Sequence, residues 1–299
     1  RDAGPDNTPA AVVQSCRAAA TPAAAPTPTL SISAWNVTSD ASSALRGAVI
    51  ALCASTLRLE GTVSANGMGC PSGGGVGTGV SLDVAGGGAG YVGNGGDAYV
   101  ENDNHAVPTG GLPYITYPPS RLGSGGGESS ADPGSGGPGG GFVYLHSHDR
   151  ALLDIVATAN GGTSKLGAGG GGSGGTVYVK TSALLSKKLA ITADGGDGFK
   201  GGGGGSGGAV FVEWVEGAPH GKSYPVLSVA GGKGGPPQKL QRRGDKGLVL
   251  GFPGAAVGPA HGYSLQTWQA STAVETHAES LESEPTNDSW SYDGEWGAV

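Results

Sequence analysis

The sequence predicts an all-β protein: a glycine-rich repeat solenoid similar to a parallel β-helix, or alternatively a β-sheet or β-sandwich packed against polyglycine II helices. Three observations predict this class. A 21-residue module recurs without a gap, glycine runs separate its copies, and each copy holds two short runs with period-two alternation. Copies that begin at Gly141, Gly175 and Gly208 are 34 and 33 residues apart, a spacing typical of stacked units that bury a core only against their neighbours.

The chain divides into four regions. Residues 1–30 are rich in Ala, Pro and Thr and predict an extended stalk or linker. The β-repeat domain spans 31–235, and a Gly/Pro-rich loop region follows at 236–263. Residues 264–299 form an acidic tail in which a loose apolar spacing predicts some helix. The lack of an initiating Met and of a signal-like start indicates a processed product or a piece of a longer protein.

Each module reads as two strands around a variable middle. The first strand is predicted to place small aliphatic residues on one face and larger residues on the other, and the second strand repeats small residues before a glycine. The ungapped copies are Gly47–Gly67, Gly141–Gly161 and Gly175–Gly195, and Gly208–Gly231 carries a three-residue insertion. The predicted inner pairs of the first strand are Val49/Ala51, Val143/Leu145, Val177/Val179 and Val210/Val212. Those of the second strand are Val63/Ala65, Ala157/Ala159, Ile191/Ala193 and Val229.

The opposite face of the first strand predicts an aromatic ladder of Tyr144, Tyr178 and Phe211, with Ile50 at the same place in the first module. Gly96–Val100 resembles a further first strand, which adds Tyr99 to the ladder. Like positions of stacked repeats lie side by side, so these rings should pack together or form an interface.

The residue before the closing glycine of a module is Asn66, Asn160 or Asp194. Asn-Gly and Asp-Gly favour turns because both residues tolerate positive φ, so the three positions predict a ladder of turns. A calcium ladder is the alternative, but the regular Gly-Gly-x-Gly-x-Asp repeat that it requires is not present.

Glycine accounts for 62 of the 299 residues. Ordering a glycine costs roughly 0.5–1 kcal/mol relative to alanine, so such segments fold only where close backbone packing excludes side chains. The runs between modules therefore predict either flexible loops or polyglycine helices packed side by side. In the second case the outward aromatic rings would lie against glycine backbones.

Charge excludes one class of partner. Residues 1–246 contain all 17 Lys and Arg and 17 of the 24 acids, and the tail supplies the net charge of −7. Nucleic acid is not expected as a partner, because phosphate binding requires a basic footprint. No apolar run is long enough to cross a bilayer, so membrane insertion is not expected either.

Two sequons and the proline-rich stalk favour an extracellular location. The sequons begin at Asn36 and Asn287, which are candidates for N-glycosylation. The three cysteines, Cys16, Cys53 and Cys70, allow one disulfide or three free thiols. The sequence does not assign the pairing, and Cys53 with Cys70 is one candidate.

The motifs of catalysis give no coherent site. Gly-x-Gly-x-x-Gly occurs repeatedly, as the composition guarantees, and carries no weight as a dinucleotide fingerprint. His146, His148 and Asp149 could bind a transition metal, but they lie in the variable middle of one module and are better explained as a solvated loop. The corresponding surface positions, such as Lys180 and Glu213, vary in charge without forming a cluster of carboxylates. No enzyme activity and no cofactor are therefore predicted.

The succession of an apolar strand, Ser/Thr-Ala-Asn/Asp-Gly-Gly, Gly-Gly-Gly-Gly-Ser-Gly-Gly and a second apolar strand over 47–235 resembles the glycine-rich repeats of large secreted surface proteins of protists, algae and bacteria. That resemblance implies a β-helix-like segment of an adhesin, wall or surface filament. A weaker resemblance is to the glycine-rich domain of anaplastic-lymphoma-type receptor kinases, in which polyglycine helices pack beside a β-sandwich. That family's domain is richer in cysteine than this chain.

The expected function is that of a structural subunit of an extracellular filament, sheath or matrix that assembles with copies of itself. The stalk and the aromatic residues of the tail, Trp290, Tyr292 and Trp296, would connect subunits. A carbohydrate- or surface-binding adhesin module is the alternative, and a polysaccharide-processing enzyme is a less favoured third. An adhesin should leave an aromatic face open to its ligand.

Overall fold

The structure, a computed structural model, describes residues 29–100, 107–114, 121–216, 226–236 and 243–253. Within these ranges the chain is all-β and contains no α-helix, which confirms the predicted class. All nine strands join one sheet, and every pairing between strands is parallel. The strands are β1 (Thr29–Thr38), β2 (Ala44–Arg46), β3 (Val49–Ser64), β4 (Phe142–Thr158), β5 (Thr176–Leu185), β6 (Ala190–Thr192), β7 (Ala209–Glu216), β8 (Val226–Ser228) and β9 (Leu248–Pro253).

Several predictions concern residues outside these ranges. They are the stalk before residue 29, most of the 236–263 loop region and the tail helix, together with the particular residues Cys16, Asn287, Trp290, Tyr292 and Trp296.

The strands follow the order β1-β3-β4-β5-β7-β9. β2 and β6 pair with the later parts of β3 and β4, and β8 pairs with β6. Each repeat unit thus has two limbs. We call 49–54, 142–147, 176–181 and 209–214 the first limbs, and 56–64, 150–158, 190–192 and 226–228 the second limbs. Thr176 pairs with Ala209 whereas Ala190 pairs with Val226, so the insertion of the fourth module lies between its limbs.

The ungapped alignment of the first two modules is wrong by one residue in the first limb. Ile50, and not Val49, lies opposite Val143. A β-bulge between Ala54 and Thr56 then restores the predicted register in the second limb, because β4 carries one residue more than β3 at that point. The inner residues of the first module are therefore 50 and 52 instead of 49 and 51.

Aliphatic side chains of both limbs form one buried cluster. Residues on either side of the bulge belong to this same core. Its members are mostly aliphatic, and many are β-branched or small. Representative members, all completely buried, are Ile50, Leu52, Leu59, Leu145, Leu153, Val177, Val179, Ile191 and Val210.

The glycine segments are ordered and bond to one another with a period of three residues. In the segment 169–175, successive N–H groups point to three different neighbours before the pattern repeats. Gly170 and Ser173 donate to 123–127, Gly171 and Gly174 to 202–208, and Gly172 and Gly175 to 159–164. Carbonyls of the same segment accept from 134–141 and 193–198. Each such segment is therefore surrounded by others on several sides.

We call these segments together the glycine layer, and it leaves no room for side chains at its contacts. A Cβ added to Gly171 would overlap the carbonyl oxygen of Gly196, and one added to Gly203 would overlap that of Gly96. The glycines are thus required by contact between backbones. The layer consists of 86–96, 108–111, 123–127, 134–141, 159–164, 169–175, 193–198, 202–208, 230–235 and 243–247.

Candidate functional site

The outer face of the first limbs carries the predicted aromatic ladder. Tyr144, Tyr178 and Phe211 occupy neighbouring strands in register. Their ring centroids are 5.3 Å apart between the two tyrosines and 5.8 Å apart between Tyr178 and Phe211. Tyr178 is only 5% exposed and Phe211 1% exposed, whereas Tyr144 is half-buried. The ladder is therefore largely covered by its own chain.

Tyr99 does not belong to this ladder, and the prediction of a strand at Gly96–Val100 is wrong. The segment lies in and beside the glycine layer, where Gly96 N–H donates to the carbonyl of Gly204 and Tyr99 N–H donates to that of Gly201 at 2.6 Å. These backbone bonds to glycine segments take the place of a strand ladder. In the first module the ladder position is occupied by Ala51 instead of Ile50.

Two further tyrosines fix the glycine layer onto the ladder. Tyr91, fully buried, packs edge-on against Tyr114 with ring centroids 5.0 Å apart. The Tyr91 hydroxyl donates to the Arg121 carbonyl at 3.0 Å and shares a 2.5 Å hydrogen bond with the Thr176 hydroxyl at the start of β5. Burial raises the pKa of Tyr91 to about 12, so its hydroxyl stays a donor at neutral pH. The sequence offers no repeat signal for either tyrosine, because both lie between modules.

A column of polar residues runs beside the aromatic ladder on the same face. Cys53, His146, Lys180 and Glu213 are in register on successive strands. The Tyr178 hydroxyl donates to Glu213 Oε1 at 2.7 Å, and Lys180 Nζ lies 3.9 Å from Glu213 Oε2. The strand register holds these titratable side chains side by side.

Burial dominates the electrostatics of this column. It lowers the pKa of His146, and the nearby His148 and Lys180 lower it further, against an opposing effect of Glu213. Burial also raises the pKa of the Cys53 thiol, and it raises the pKa of Tyr144 to about 12. A buried thiol with a raised pKa is a poor nucleophile. The column therefore favours neutral forms of His146 and Cys53 at neutral pH.

The lowered pKa of His146 predicts a loss of stability in acid. The unfolded chain binds this proton more readily than the folded protein, so stability falls as pH decreases from the ordinary histidine value of 6.5 towards the lowered pKa. We expect the urea unfolding midpoint to decrease over this window and His146→Gln to flatten the decrease. His148 is exposed on the same strand, so the His148→Gln variant should keep most of the decrease in the unfolding midpoint. An equally steep decrease in His146→Gln would contradict the assignment.

The three residues before the closing glycines form a ladder of hydrogen bonds, and only the first of them lies in a turn. Gly67 has a positive φ of 59°, but the chain runs on without a turn after Asn160 and Asp194. Instead, Asn160 N–H donates to Asn66 Oδ1, and Asp194 N–H donates to Asn160 Oδ1, both at 2.8 Å. Asp194 Oδ1 in turn accepts from Ala230 N–H at 2.7 Å. The residues were predicted correctly, and the turns at 160 and 194 were not.

The hydrogen-bond ladder of Asn66, Asn160 and Asp194 predicts different effects for two substitutions of Asn160. Asn160→Ala leaves the Asp194 N–H without its acceptor, and we expect it to lower the free energy of unfolding by about 1–2 kcal/mol. Asn160→Asp keeps an Oδ1 in place and should cost less, since the chain itself uses Asp194 at the next rung. Thermal and urea unfolding of both variants would check this, and equal losses would argue against the ladder.

The structure contradicts the candidate pairing of Cys53 with Cys70 in a disulfide. Cys53 carries a free thiol in β3, whereas Cys70 is disulfide-bonded and lies in a buried cluster with Val49 and Leu122. The remaining cysteine lies outside the described residues. Asn36 is exposed on β1, so its sequon is accessible to a glycan.

The structure brings together two carboxylates that the sequence did not single out. Glu60 and Asp154 are partners in register on the outer face of the second limbs. Arg58 Nη2 lies 3.7 Å from Glu60 Oε1. Asp154 Oδ1 accepts from the backbone N–H groups of Lys187 and Lys188 at 2.7 and 3.0 Å. Both carboxylates thus have partners within the protein. The module alignment already gives the two residues equivalent positions, and the parallel register of the second limbs places them side by side.

The histidine-containing middle of the second module belongs to β4 and is not a loop, which corrects that interpretation. His148 and Asp149 are the two residues of the bulge, and the His146 and His148 ring centroids are 4.6 Å apart. In the described ranges no three His, Cys, Asp or Glu residues are arranged to hold a metal ion.

An open cleft of about 890 Å³ is lined in part by the glycine-layer segments 94–96 and 109–111. Val80 and Leu112 supply apolar surface, with Asn94, Asp97 and Asp245 beside them. Asp97 Oδ1 accepts from Gly110 N–H, and Asp245 Oδ2 accepts from Asn94 N–H, both at 2.9 Å. The carboxylates are thus positioned by loop backbone.

No protein-family model, curated protein or solved structure matches the chain. In the part that the structure describes, no helix is long and apolar enough to cross a membrane.

Proposed function

We propose that the chain is a non-catalytic structural subunit of an extracellular filament, sheath or matrix. The observation that carries this proposal is that the aromatic ladder and the glycine layer, the two most distinctive features of the sequence, cover each other. The aromatic ladder is largely buried, with Tyr178 5% and Phe211 1% exposed and Tyr144 half-buried, and Tyr91 and Tyr114 fix the glycine layer against it. A surface that served a soluble ligand through these rings would leave them open.

We further propose that the repeat units form a β-solenoid backed by polyglycine II helices. Three features support this: the parallel register between successive units, the continuous core to which both limbs contribute, and the three-residue hydrogen-bond period of the glycine layer. Three residues per turn without bonds inside the helix is the geometry of polyproline II and its polyglycine relative. Such a body gains stiffness because each backbone is bonded to several neighbours.

The extracellular location has two supports. The sequon at Asn36 is exposed, and Cys70 takes part in a disulfide, a bond that persists in oxidising compartments. The absence of catalysis is part of the same proposal. It is supported by the register-paired carboxylates Glu60 and Asp154, which already bond to Arg58 and to backbone N–H groups.

Electron microscopy of the full chain, with sedimentation velocity over a wide concentration range, tests the function. We expect rod-shaped particles that lengthen into filaments as concentration increases. Monodisperse single chains at every concentration, under oxidising conditions and with glycans intact, would overturn the proposal.

A carbohydrate-binding module is the second candidate, and the cleft is the observation that favours it. Sugars are bound by planar amide and carboxylate groups beside apolar surface, which Asn94, Asp97 and Leu112 provide. Binding to an array of polysaccharides, lost in Asp97→Ala and kept in Asp83→Ala outside the cleft, would favour this candidate.

A further inference from the structure

The two ends of the sheet match each other in direction. In the described residues, β1 and β9 are the terminal strands of the path β1-β3-β4-β5-β7-β9, and each pairs with one strand on one side. Since every pairing along this path is parallel, β1 and β9 run in the same direction. A terminal strand presents backbone N–H and C=O groups that another strand can pair with.

The ends also match in residue type, because the register continues unbroken across the sheet. Two columns of residues in register, which face the core in β1, β3, β4, β5 and β7, are aliphatic at almost every position. The first column is Leu30, Ile50, Val143, Val177, Val210 and Val249, and the second is Ile32, Leu52, Leu145, Val179, Val212 and Gly251. Placing Leu30 of one copy beside Val249 of another would extend the first column without a break.

The β1 end is incompletely covered. Leu30, Ile32 and Val37 pack against the core but are only half-buried, whereas the equivalent Ile50, on the next strand, is completely buried. Trp35 on β1 is 77% exposed, the most exposed large apolar side chain among the described residues. An exposed tryptophan beside a half-covered core is characteristic of a binding hot spot.

We propose that the edge of β1 that faces away from β3 pairs in parallel with the edge of β9 that faces away from β7 in a second copy, in the register that continues the columns. This inference rests on the proposed function and names the surface that the copies use. The contact joins two different edges, so it is head-to-tail, and repeating it builds an open fibre instead of a closed dimer. Asn36 is exposed on the outward side of β1, opposite the inward Val37, so a glycan there lies beside the fibre axis and leaves the edge accessible.

Engineered disulfides test the contact directly. In a Cys53→Ser background, one preparation carries Ser31→Cys and another carries Leu250→Cys, which are rungs of the same column. Parallel neighbours lie about 4.8 Å apart, within the Cα separation of about 4.4–6.8 Å that a disulfide requires. Under mild oxidation of the full chain, we expect covalent dimers when the preparations are mixed and none in either preparation alone.

A second pair reports the register. Ser33→Cys faces the same side as residue 31 but lies two residues further along β1. Mixed with Leu250→Cys, it should give much less dimer than Ser31→Cys. Equal yields from both, or dimers in one preparation alone, would overturn the head-to-tail register.

Charge placed on the edge supplies an independent measurement. Trp35→Lys should weaken association at least about tenfold, as loss of a central tryptophan does at other interfaces. His148→Lys adds the same group at the same corner of the unit, but on the interior strand β4, and should leave association within about twofold of the wild type. Filaments that form without cross-links and tolerate Trp35→Lys would overturn this contact and leave the proposed function intact. A chain that never assembles would overturn both.

Discussion

Replacing Gly205 with alanine is expected to lower the free energy of unfolding by about 3–5 kcal/mol. A Cβ at this position would overlap the carbonyl oxygen of Gly172 in the neighbouring segment. That segment cannot move away without breaking its own bonds, because Gly172 donates to the Gly162 carbonyl and Gly205 donates to that of Gly196. The cost therefore combines overpacking with lost backbone hydrogen bonds. Guanidinium unfolding followed by circular dichroism would measure it.

The adjacent residue provides a matched control. Ser206 is completely buried and already carries a Cβ, so the layer has room for one there. Its hydroxyl has no hydrogen-bond partner in the described residues. Ser206→Ala removes an unsatisfied buried group and should change stability by less than about 0.5 kcal/mol or increase it slightly. Similar losses at 205 and 206 would contradict the tight backbone packing of the layer.

The second large effect is expected at Tyr91, where truncation to alanine should cost about 3–5 kcal/mol. The ring is completely buried between Tyr114 and the aromatic ladder, so its removal leaves a cavity between the sheet and the glycine layer. Tyr91→Phe keeps the ring and removes the hydrogen bonds to Thr176 and Arg121, for a smaller cost of about 1–3 kcal/mol.

Amide hydrogen exchange distinguishes the role of Tyr91 from general destabilisation. If Tyr91 holds the two parts together, Tyr91→Ala should increase exchange in the glycine layer more than in the core strands. Tyr99→Ala is the control, since Tyr99 is half-buried and stands outside the ladder. If Tyr99→Ala increased exchange in the glycine layer more than Tyr91→Ala, that result would favour the prediction that Tyr99 belongs to the aromatic ladder and would contradict the structure.

Much of the sheet could be predicted because period-two alternation and repeat spacing are local signals. The second-limb residues Val63, Ala157 and Ile191 are in the core as the module predicts. The first limb of the first module was displaced by one residue, because the alignment cannot show that β4 carries an additional residue at its bulge. The same extra residue placed Ile50 on the wrong face.

The contacts between modules could not be predicted in the same way. Tyr99 follows the alternation of a strand, yet its neighbours bond to glycine segments more than a hundred residues away, such as Gly204. Tyr91 and Tyr114 occur once each and have no repeat to reveal them. Asn160 was recognised from its place before a glycine, but its partner is the backbone of the next unit and not its own turn. Long-range hydrogen bonding decided each of these cases.

The three-residue hydrogen-bond period of the glycine layer restricts how the chain can change in length. Within a segment such as 169–175, adding or removing one residue would redirect every later N–H to the wrong neighbour, whereas a change of three would restore the alternation. The connections at the ends of these segments have no such restriction. The connection 165–168 is one residue longer than 199–201, although the segments that flank them are equivalent. Insertions and deletions should therefore accumulate at these connections. Inside the layer, we expect changes in length only in steps of three residues.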